Sequence, residues 1–118
     1  MNFIIKLIVS ALAVFIVAHI LPGVSLTNYV SALLVAIVLA FLNAVVKPIL
    51  TILTIPVTVV TLGLFLLAIN AIIILFADKI VSGFSVNGFW TALFFSIILS
   101  FITGILNMIL GVKKEDQN

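Results

Sequence analysis

The chain predicts an all-α membrane protein: four transmembrane helices arranged as two tandem, parallel helical hairpins. Three observations lead there. Its 118 residues are 66% hydrophobic and 7% charged, whereas a soluble domain carries roughly 25% charged residues. The charges leave long gaps: with His19 neutral there is none between Lys6 and Lys47, 30 residues separate Lys47 from Asp78, and 33 separate Lys79 from Lys113. Each gap has room for at least one crossing, because a hydrocarbon core of about 30 Å needs roughly 20 residues at about 1.5 Å rise. Finally, the sequence matches itself at an offset of 60.

The same composition excludes several functions. A formal charge of +2 offers no surface that could neutralise a nucleic-acid backbone. The absence of cysteine removes disulfides, thiolate metal sites and cysteine nucleophiles. One His and three carboxylates, the latter at the periphery, assemble no nucleophile, base and orienting group. No enzyme activity, catalytic residue, cofactor or metal is expected, and no small-molecule ligand is inferred.

Punctuation divides the gaps into runs. The first, Phe3 to Leu21, stops at Pro22-Gly23; the second, Tyr29 to Val46, stops at Lys47-Pro48. The third, Val57 to Ala77, follows Pro56, and the fourth, Phe89 to Val112, follows Ser82-Gly83 and Asn87-Gly88. Helix is favoured over strand because these are long runs of Ala, Leu, Ile and Val without the alternation of a membrane barrel. The amino-terminal run has features of a secretory signal, with small residues at Ala11-Leu12-Ala13. Cleavage there would break one copy of the repeat, which argues against it.

At the offset of 60, Ile20, Gly23, Ser25, Ala32, Leu33 and Ile37 fall on Ile80, Gly83, Ser85, Ala92, Leu93 and Ile97, and the register continues without a gap to Ile49-Leu50 on Ile109-Leu110. Repeat one covers about 3–50, a connecting segment about 51–62, repeat two about 63–110, and a polar tail 111–118. A copy that crosses twice makes both copies enter from the same side, so an axis along the membrane normal relates them. Lys6, Lys47, Lys113 and Lys114 then share one side and Lys79 lies on the other. Positive charge concentrates on the cytoplasmic side, which places both termini there. A Lys at the helix centre costs about 2.5–3.5 kcal/mol, so Lys47 is expected near the interface with its stem snorkelling outward. Tyr29, Phe89 and Trp90 are expected to mark the outer interface.

The second helix carries Ala32, Ala36, Ala40 and Ala44 on one row, and the fourth carries Ala92, Ser96, Ser100 and Gly104. Small residues at this spacing permit close backbone approach in lipid, in a right-handed crossing of about −40°. Either the second and fourth helices pack together, or one ladder meets its copy in another subunit. Ser10, Asn43, Asn70, Thr103 and Asn107 bring polarity into the spans, with Asn43 aligned on Thr103, Lys47 on Asn107 and Ser10 on Asn70. Interhelical hydrogen bonds, worth roughly 0.6–2 kcal/mol, explain such residues as packing glue. The functional reading is a wettable stripe of Ser96, Ser100, Thr103 and Asn107, which encloses water only when several copies assemble.

Between the copies, Pro48 to Gly63 is uncharged and apolar, with Thr51, Thr54, Thr58 and Thr61 on one helical face. An interfacial helix or a re-entrant segment fits, with Pro56 as a kink or end, as does a kinked extension of the third span. In the outer turns, Gly23-Val24-Ser25-Leu26 and Gly83-Phe84-Ser85-Val86 alternate apolar and polar residues, as would strand-like turns touching across the axis. Asp78 beside Lys79 reads as a solvated pair.

The blocks Leu42-Asn43-Ala44-Val45-Val46-Lys47-Pro48, Leu53-Thr54-Ile55-Pro56, Thr61-Leu62-Gly63-Leu64-Phe65 and Phe84-Ser85-Val86-Asn87-Gly88-Phe89-Trp90 resemble the mycobacterial-type four-transmembrane phage holin family of superfamily IV. The resemblance covers nearly the whole chain. It implies a multi-pass protein of the bacterial cytoplasmic membrane and marks Lys47, Pro48, Pro56 and Gly63 as motif positions. Lys47 stands where relatives often have Arg, keeping the charge without the planar fork. A holin-like protein that self-associates and opens lesions is the leading expectation, with the lipid bilayer and further copies of the chain as partners. A non-pore structural or envelope-stress protein is the alternative. A small transporter ranks below both, since no carboxylate lies within a span.

Overall fold

Long apolar runs leave backbone amides no partner but their own chain, and they fold as helices. The computed structural model describes residues 2–111. The order is α1 (Asn2–Ile20), β1 (Val24–Leu26), α2 (Tyr29–Leu53), α3 (Ile55–Val60), α4 (Phe65–Ile80), β2 (Phe84–Val86) and α5 (Phe89–Leu110). Three of these helices, α1, α2 and α5, are long and apolar enough to cross a membrane. At 16 residues, α4 is shorter than the sequence predicts for the third span.

Two boundaries differ from expectation. The second helix does not stop at Lys47 but runs through Pro48 to Leu53. Proline withholds a single amide, the one that would bond the Ala44 carbonyl, and continuing the helix satisfies all the amides that follow. The helix ends at Thr54, whose hydroxyl donates to the Leu50 carbonyl at 2.8 Å. The helix of the third apolar run, α4, starts at Phe65 rather than Val57, because α3 and a tight turn intervene. Pro56 sits in the first turn of α3, where its missing N–H costs nothing. The turn is a Schellman motif: Gly63 N–H donates to the Thr58 carbonyl at 2.8 Å and Leu62 N–H to the Val59 carbonyl at 3.1 Å. Leu62 and Gly63 both adopt positive φ, 58° and 89°. All four threonines of the segment are half-buried, while Ile52, Leu53, Val57, Val59 and Val60 are exposed.

At the opposite end, β1 and β2 pair antiparallel, with Val24 opposite Val86, Ser25 opposite Ser85 and Leu26 opposite Phe84. The flanking bonds are reciprocal: Thr27 N–H donates to the Gly83 carbonyl at 2.9 Å and Asn87 N–H to the Gly23 carbonyl at 2.8 Å. Backbone groups of both outer turns are thereby paired with each other. Around the strands, α1 packs on α2 and α5, and α4 packs on α5 and α2. Val9, Ala11, Ala13, Val14 and Val17 are buried on α1, and the residues sixty further on, Ile69, Ala71, Ile73, Ile74 and Ala77, are buried on α4. Beneath the strands Phe84 and Phe95 fill the core, ring centroids 5.5 Å apart. The strand end is closely packed, and the end carrying the first residues of α1 and the last of α2 is open.

Side chains at the strand end make specific contacts, and one of them, Asp78, departs from its expected role. The Tyr29 ring lies along α1, 5.6 Å from Phe15, and its hydroxyl donates to the Ile8 carbonyl at 3.4 Å, so Tyr29 ties α2 to α1. Asp78 is half-buried and its carboxylate accepts the Val86 N–H at 3.1 Å, anchoring β2 to α4 in place of a solvated pair with Lys79. Trp90 and Phe89 stand edge to face at the exposed start of α5.

Candidate functional site

The ladders of α2 and α5 place the site. Their upper rungs, Ala32, Ala36, Ala92 and Ser96, are buried, and the Ser96 hydroxyl is satisfied by the Leu93 carbonyl at 2.9 Å. Further along, Ala40 is half-buried while Ala44, Ser100 and Gly104 are exposed. Direct packing of α2 on α5 is not among the principal helix interfaces, which are α1–α2, α4–α5, α2–α4 and α1–α5. In its place the lower parts of the two ladders line opposite walls of an open cleft. The physical reason is the order of packing: the interfaces close a ring, α1–α2–α4–α5, in which α2 and α5 stand at opposite corners.

The cleft has a volume of about 560 Å³, within the range of about 300–1,000 Å³ common to small-molecule sites. Ser100, Thr103 and Asn107 of α5 form one wall, facing Ala40 and Asn43 of α2, and Lys6 and Ser10 of α1 complete it. A smaller recess of about 100 Å³ continues between α2, α4 and α5, bordered by Asn43, Lys47, Asn70 and Ser96. Lys47 is half-buried and borders this recess.

The predicted intramembrane polar residues Asn43, Asn70, Thr103 and Asn107 are therefore gathered around one cleft and its recess, as is the wettable stripe of α5. A single chain brings these polar groups together from three helices, α2, α4 and α5. The signal was present in the alignment of the chain on itself: Lys47 with Asn107, Asn43 with Thr103, Ser10 with Asn70. The remaining motif positions lie elsewhere. Pro48 and Pro56 are exposed, and Gly63 closes the α3–α4 turn.

The electrostatics are one-sided. Lys6 and Lys47 border the site, and neither the cleft nor the recess includes a carboxylate. Among the described residues the one carboxylate is Asp78, held at the strand end by β2. The site thus combines two cations with hydroxyl and amide donors, a chemistry that retains water or an anion.

A family described as mycobacterial 4 TMS phage holin, superfamily IV, matches residues 1–105. The chain is 38% identical to an uncharacterized protein of Streptomyces coelicolor, over 92% of this chain and 95% of that protein. It is 37% identical to the uncharacterized membrane protein YvlD of Bacillus subtilis, over 81% of this chain and 82% of the relative. No solved structure matches it. The apolar exterior, the long helices and these relatives agree on a membrane protein, and the chain belongs to the mycobacterial four-transmembrane-segment phage holin family, superfamily IV.

Proposed function

We propose that the chain is a holin-like, self-associating protein of the bacterial cytoplasmic membrane, crossing four times as two tandem hairpins with both termini inside. The observation that carries self-association is the exposure of Ala44, Ser100 and Gly104 on ladders whose upper rungs are already buried. A Cβ on Gly104 would meet nothing within 4 Å, so a second helix has room to approach its backbone. The fourth crossing is α4: its 16 residues rise about 24 Å, and the exposed apolar side chains of α3 extend that surface. Agreement of the strand pairing, the flanking hydrogen bonds and the buried faces at the offset of 60 supports the duplication.

Controlled expression in cells loaded with a membrane-potential dye tests lesion formation. Rapid dye release at modest expression is the expected result, and intact potential at high expression overturns it. A non-pore structural role is the second reading. It is favoured by the packed strand end, where Phe84, Phe95 and the β1–β2 pair close the cleft so that it does not continue through the molecule.

A further inference from the structure

We infer that the cleft between α2 and α5 binds the phosphate headgroup of an anionic phospholipid. Lys6 lines this cleft near the start of α1 and Lys47 borders the adjoining recess near the end of α2, with Asn43 and Ser100 shared by both and Thr103 and Asn107 on the cleft. Two lysines with hydroxyl and amide donors, and no carboxylate on the walls, make a lining complementary to phosphate oxygens. Basic pockets between helices at the membrane edge select anionic headgroups in this way.

Deeper in the cleft the walls become Val14, Leu39 and Leu99, which offer an acyl chain the apolar surface that a free anion does not need. The site is open rather than enclosed, and the lower rungs Ala40 and Gly104 leave the width for a chain to enter between the helices. Lipid is therefore favoured over free inorganic phosphate. The inference rests on the chain being embedded in the membrane and is independent of lesion formation, so an unchanged membrane potential in the dye assay leaves it standing.

The test uses the full chain purified in a neutral detergent, exposed to phosphatidylglycerol or to phosphatidylcholine of the same acyl composition, with bound lipid counted by native mass spectrometry. Phosphatidylglycerol is expected to be retained at least about tenfold better, given the attraction of anionic lipid to each nearby lysine. Lys6→Gln/Lys47→Gln is expected to abolish that preference, Lys6→Arg/Lys47→Arg to keep it, and Lys79→Gln, at the strand end, to leave it intact. A Ser100→Leu variant, which fills the cleft without changing charge, is expected to lower retention of phosphatidylglycerol. Equal retention of the two lipids by the unaltered chain overturns the inference. So does an equal loss in Lys79→Gln, which would mark general surface charge. Displacement of phosphatidylglycerol by millimolar inorganic phosphate, with phosphate itself retained, would assign the site to a free anion and overturn the lipid.

Discussion

Gly83 is a residue at which the two hairpins pack tightly. A Cβ there would overlap the Ser31 hydroxyl and stand 3.1 Å from the Thr27 hydroxyl, while the Gly83 carbonyl is already engaged by Thr27 N–H. Gly83→Ala is expected to lower stability by about 1–3 kcal/mol, the usual cost of overpacking, and Ser31→Ala in the same chain to restore part of it. Thermal unfolding in detergent, followed by circular dichroism, measures both. Leu62 offers the opposite case. It occupies the left-handed position of the α3 cap at φ 58° and is 91% exposed, so it has strain and almost no packing. Leu62→Gly is expected to raise stability by about 1 kcal/mol. No gain in the unfolding midpoint would mean that the α3–α4 turn does not hold this conformation.

At the scale of elements, the two ladders show how one row of small residues can serve different ends along its length. Ala32, Ala36, Ala92 and Ser96 are consumed by packing within the chain, and the rungs beyond them are left open. Ala44→Leu and Gly104→Leu are expected to weaken self-association without unfolding the chain, because each adds bulk at an exposed position and Gly104 has free space around it. Cross-linking in membranes reads the assembly, and the unfolding midpoint controls for stability. Undiminished cross-linking in both variants would remove the lower rungs from the interface. The helices themselves were readable from apolar runs, but their ends were less so. Pro48 signals a stop in a soluble helix, yet in apolar surroundings one missing amide is cheaper than several unpaired ones. The start of α4 was hidden because Val57 to Leu64 is as apolar as the helix it precedes, and the Leu62 turn carries its glycine one position late.

For the whole molecule, the proposed topology makes both termini and the α2–α4 connection cytoplasmic and puts β1 and β2 outside. Single cysteines introduced as Ser85→Cys, Thr54→Cys and Asn118→Cys meet no native thiol, although the tail lies outside the described residues. Membrane-impermeant maleimide is expected to label Ser85→Cys in intact cells and the other two only after lysis. Labelling of Asn118→Cys from outside would invert the orientation.

Composition and periodicity were sufficient to establish that this chain is a membrane protein and that it is helical, because each of those properties depends on solvent or on neighbours along the chain. The meeting of Lys6, Asn43 and Asn107 about one cleft, with Lys47 on the recess beside it, came only with the tertiary arrangement. Which faces touch is decided by how the volumes of Phe84, Phe95 and the small rungs fit together, and that fit involves residues sixty positions apart.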